Sequence, residues 1–90
     1  MVQSNWYKVA AKVSSQKGTC AANHKAGEEF IIGDSTPNGM CCWAFYSLFP
    51  FVSVLQSGGS FPWEDSKDKS VVACPDPLNP VVWELRRIPS

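Results

Sequence analysis

The chain has 90 residues, enough for one domain spanning 1–90 with a modest core. Eight basic and eight acidic residues cancel, and the charged share is only 18%. No basic patch stands out, which argues against a nucleic-acid binder, and zero net charge favours self-association.

Residues 1–8 lack a basic region followed by an apolar core, so no signal peptide is expected. The expected location is therefore cytoplasmic, where thiols stay reduced. Residues 6–14 alternate, with Tyr7, Val9, Ala11 and Val13 on one side and Trp6, Lys8, Ala10 and Lys12 on the other. Period two with lysines on one face predicts a half-buried strand. Residues 15–27 are polar and carry two glycines, as a loop does. Residues 28–32 form a second short strand, and the run Asp34, Ser35, Thr36, Pro37, Asn38, Gly39 is a dense turn signal.

Residues 40–55 are the most apolar stretch, too short for an ordinary membrane span. Cys41, Ala44, Phe45, Leu48, Val52 and Leu55 recur at helical spacing, so a core helix is expected, with Gly58 and Gly59 ending it. Thr36 could cap it with Pro37 in the first turn, although Gly39 weakens that early start. Pro50 removes a backbone donor and is expected to kink or break the helix. Residues 60–69 read as a polar loop holding Phe61, Pro62 and Trp63. Residues 70–74 form a third strand, ended by Pro75-Asp76-Pro77, and residues 81–88 a fourth. The order β-β-α-β-β predicts an α+β domain with one central helix packed on a small, mostly antiparallel sheet.

Four cysteines in a reducing compartment argue for a metal or a reactive thiol before disulfides. Cys20 and His24 form a C-x3-H pair, followed by Cys41 at the predicted helix start and Cys74 at the end of a strand. Three thiols and an imidazole can close a tetrahedral shell around zinc, and soft sulfur ligands also suit iron. The full spacing, C-x3-H-x16-C-x32-C, matches no standard finger or ribbon. Plain core packing is the bland alternative, because cysteine is among the most buried residue types. Cys42 stands about 100° from Cys41 around an ideal helix, so the two cannot easily share one ion. Cys42 reads as a small apolar filler, and substitution at Cys41 is expected to matter more.

The segments Gly18-Thr19-Cys20, residues 24–30 from His24 to Phe30, Gly39-Met40-Cys41, Phe49-Pro50-Phe51, Pro62-Trp63 and Cys74-Pro75-Asp76-Pro77 resemble a family of short microbial proteins that share a Cys/His motif and a Cys-Pro-Asp-Pro-type segment. The resemblance runs over roughly residues 6–88. It implies that Cys20, His24, Cys41 and Cys74 act together, and it implies no substrate, because that family carries no assigned activity. Cys42 departs from the family's pattern.

Two functions follow. One is a small metal-binding protein with zinc or iron held by Cys20, His24, Cys41 and Cys74. The other is a small cysteine-dependent enzyme, a lyase, isomerase or hydrolase, acting on a small-molecule ligand. In it Cys41 is the nucleophile or acid, activated by the helix start and His24, with Glu28 or Glu29 as candidate bases and Trp63 and Trp83 walling a pocket. A weaker third reading is an interaction module built on the loop around Trp63. The expected assembly is a homo-oligomer, most simply a dimer, with no nucleic acid or membrane partner.

Overall fold

A computed structural model of the chain describes residues 7–16, 25–73 and 81–89. Four strands and one helix follow one another as β1 (Lys8–Gln16), β2 (Glu29–Ile32), α1 (Cys42–Gln56), β3 (Lys69–Ala73) and β4 (Val81–Ile88). The strands form one sheet in the order β2-β1-β4-β3, antiparallel at every pairing. This is the expected α+β architecture, with the helix lying on one sheet face.

The alternation in the sequence sets which face is covered. Val9, Ala11 and Val13 of β1, Ile32 of β2, and Val81, Trp83 and Leu85 of β4 are all buried. They meet Ala44, Leu48, Val52 and Leu55 from α1 in a single core. On the opposite face Lys12 is in register with Glu29 on one side and Glu84 on the other. Opposite charges placed across strands in this way favour the observed register over a slip by one residue, which would bury the lysine. At Val13/Ser15 the β1–β4 register shifts, so that the last residues of β1 bulge before Gln16 pairs with Val81.

Pro50 neither breaks nor ends α1, which runs unbroken from Cys42 to Gln56. A proline in a helix interior costs about 3 kcal/mol. Full burial of a Leu or Val side chain offers roughly 1.5–3 kcal/mol each, and α1 fully buries Leu48, Val52 and Leu55. Pro50 and Tyr46, whose carbonyl loses its helical donor, both stand on the exposed side, where a freed carbonyl can turn to water at little cost. The early start from Thr36 is also corrected. Gly39 adopts φ +90° and residues 34–40 stay outside the helix.

Candidate metal centre

The polarity of α1 fixes which residues can meet. At its C-terminal end the Gln56 carbonyl accepts the Tyr7 N–H at 3.0 Å, and the Gln56 side-chain amide donates to the Gly33 carbonyl at 2.9 Å. Gly58 at φ +87° donates to the Leu55 carbonyl and Gly59 to the Val54 carbonyl, the paired glycine closure that a left-handed residue permits. The Arg87 guanidinium donates to the carbonyls of Leu55, Gly59 and Lys67 at 2.9–3.0 Å and lies 5.4 Å from the centre of the Tyr7 ring. This end of the helix therefore sits where β1 begins and β2 and β4 end.

Fifteen helical residues rise roughly 22 Å, which carries the start of α1 away from that end. Gly39 lies against the Phe30 ring, and that ring meets Trp83 with centroids 5.9 Å apart. Met40 is buried. Cys41 is the N-cap residue, with extended backbone and no side-chain capping bond, and its carbonyl accepts the Phe45 N–H at 2.9 Å. Cys41 is half-buried against the core, whereas Cys42 is exposed. The helical phase thus separates the two thiols as the sequence implies.

Of the expected ligand set, Cys41 is the member that the structure places. Cys20, His24 and Cys74 lie outside the described residues. The nearest described residues are Gln16, Lys25, Ala73 and Val81, and they lie towards one end of the sheet. Gln16 is paired with Val81, and Ala73 with Val82. Lys25 begins the turn whose Gly27 N–H donates to the Val13 carbonyl at 2.9 Å. Among the described residues no group of three or more His, Cys, Asp or Glu side chains is positioned to hold a metal ion.

The two tryptophans expected to wall an enzyme pocket stand apart. Trp83 is fully buried in the core and Trp63 is 67% exposed in its loop, so the two do not wall one pocket. The Trp63 ring instead lies tilted against Phe61 with centroids 5.0 Å apart, and Phe61 against Phe51 of the helix at 5.5 Å. Glu28 and Glu29 are exposed. The feature that sequence reading missed is an apolar groove of about 600 Å³ beside the first half of α1, lined by Thr36, Met40, Cys42, Phe45, Tyr46 and Phe49 among others. Its signal was present: α1 contains no charged residue at all.

No protein-family model, curated protein or solved structure matches the chain. No helix among the described residues is long and apolar enough to cross a membrane.

Proposed function

We propose that this protein is a small cytosolic metal-binding protein in which Cys20, His24, Cys41 and Cys74 hold zinc or iron. The observation that supports this reading is the shared direction of the described chain. β1 ends, β3 ends and β4 begins at the side of the sheet away from the glycine-closed end of α1, and Cys41 opens the helix at the far end from that closure. Cys74 follows Ala73 directly, His24 directly precedes Lys25, and Cys20 is four residues beyond Gln16. One to four residues span at most about 4–14 Å, so each of these three residues stays tethered close to that end of the sheet, and the proposal is that they meet Cys41 there. The donor set also fits the ions. Three thiolates and an imidazole satisfy tetrahedral zinc without a carboxylate, and the half-buried setting of Cys41 suits a closed structural site.

Binding requires the thiols to lose their protons, so protons compete with the metal and affinity falls as pH drops. Elemental analysis of purified protein, with thiol titration before and after a chelator, tests the proposal. The expected result is one zinc or iron per chain, an immediate reaction at exposed Cys42, and three further thiols that react only after the metal is withdrawn. Protein without bound metal that refuses added zinc and iron, and that has one fast thiol other than Cys42, overturns it and favours the cysteine-dependent enzyme.

A further inference from the structure

Helix α1 carries two apolar stripes, and the sheet covers one. Ala44, Leu48, Val52 and Leu55 face the core. Cys42, Phe45, Tyr46 and Phe49 follow the i, i+3, i+4, i+7 pattern of a second apolar seam and line the groove. Trp43, next to that seam, is 69% exposed, Tyr46 78% and Phe49 50%. The Phe45 and Phe49 rings pack at a tilt with centroids 5.6 Å apart and form one wall of the groove.

We propose that this seam is the contact between two copies of the chain, related by a two-fold axis across the first half of α1. Charge favours a second copy over other occupants. The helix has no Asp, Glu, Lys or Arg, so two identical faces meet without like-charge repulsion, and an acidic or basic partner finds nothing to pair with. A membrane surface is the weaker fit, because interfacial helices carry Lys and Arg beside their aromatic residues and α1 carries neither. Shape points the same way. Each copy offers protruding rings, Trp43 and Tyr46, beside a groove able to receive a ring. In a two-fold contact the rings of each copy fill the groove of the other. Trp and Tyr are also the side chains that most often anchor interfaces.

The area sets the strength. Three aromatic side chains exposed by a half to three-quarters offer roughly 300–450 Å² per copy, about half of what each partner gives to a standard interface. The dimer is therefore weak and is sought at concentrations of tens to hundreds of micromolar. The interface is independent of the metal proposal, since it uses none of the four ligands. Sedimentation equilibrium of the metal-loaded protein and of the chelated protein keeps the two separate.

The test compares wild-type protein with Tyr46→Glu and Trp43→Lys by sedimentation. Both positions are mostly exposed, and far-UV circular dichroism confirms that each variant folds. Wild type is expected to dimerise, and either variant to raise the dissociation constant about a hundredfold or more, since burying like charges against each other costs several kcal/mol. Three results overturn the proposal: wild type that stays at 9.9 kDa throughout, folded variants that dimerise as wild type does, or monomeric wild type that binds phosphatidylcholine vesicles through Trp43 and Tyr46. The last result assigns the face to lipid.

Discussion

At its C-terminal end α1 is closed by two glycine N–H groups, the Tyr7 N–H and the Arg87 guanidinium; at its N-terminal end the cap residue Cys41 makes no side-chain capping bond. The closed end ties four elements together through Arg87, Gln56, Tyr7 and Gly58. The open end has no side-chain cap and no acidic residue in the first turn, and it exposes Trp43, Tyr46 and Cys42. A helix terminus leaves several backbone groups in need of partners, and this protein supplies them fully at one end. The comparison separates two roles: the closed end ties the helix to the sheet, and the opposite end is where the proposed metal centre would lie.

The largest expected effect breaks the open end. Structural zinc contributes on the order of 10 kcal/mol of folding energy in small zinc peptides. This domain has its own core, so only part of that dependence is expected. Chelation should lower Tm clearly while far-UV circular dichroism still shows helix and sheet. A Tm indifferent to chelator removes the metal from the stability of the fold.

Next comes the closed end. Arg87→Ala removes three charge-assisted hydrogen bonds to carbonyls and the contact with the Tyr7 ring. A loss of about 2–3 kcal/mol is expected in urea unfolding of chelated protein, where the metal adds nothing. A loss below about 0.5 kcal/mol shows that water replaces the guanidinium at no cost and that this end is not the anchor.

The smallest effect has the opposite sign. The Ser70 hydroxyl is fully buried on the helix side of β3 and has no hydrogen-bond partner among the described residues. Ser70→Ala removes a desolvated polar group and should leave stability unchanged or raise it by up to about 1 kcal/mol. Destabilisation of more than about 1 kcal/mol in the same unfolding assay means that the hydroxyl holds a buried water.

The alternation of Val9, Ala11 and Val13, the run from Val81 to Ile88 and the inner stripe of α1 are all local patterns, and each is legible in the sequence and present in the fold. The pairing of the first strand with the last is not local, and no period in the sequence encodes it. Pro50 was misread because its effect depends on which side of the helix it occupies and on how much apolar surface the helix buries, and neither is a property of the proline. Similarly, Thr36 carries a capping signature, but the positive φ at Gly39 delays the helix until the chain has turned. At the candidate site, the different exposure of Cys41 and Cys42 follows from helical phase. The second apolar stripe was obscured because Phe45 belongs to both seams, packing on the core and lining the groove. Cys20, His24 and Cys74 lie outside the described residues, so their grouping stays a reading of the sequence, supported by where the neighbouring strands end.

The most direct measurement is a competitive zinc titration of wild type, Cys41→Ser and Cys42→Ser against a chromophoric chelator at neutral pH. Serine is a good N-cap residue, so Cys41→Ser should keep the metal-free fold intact, which circular dichroism checks. A shared metal centre predicts that Cys41→Ser weakens zinc binding by about a hundredfold or more, as loss of one thiolate from a tetrahedral shell requires, while Cys42→Ser binds as wild type does. Equal affinity in all three proteins, or a greater loss at Cys42, contradicts it.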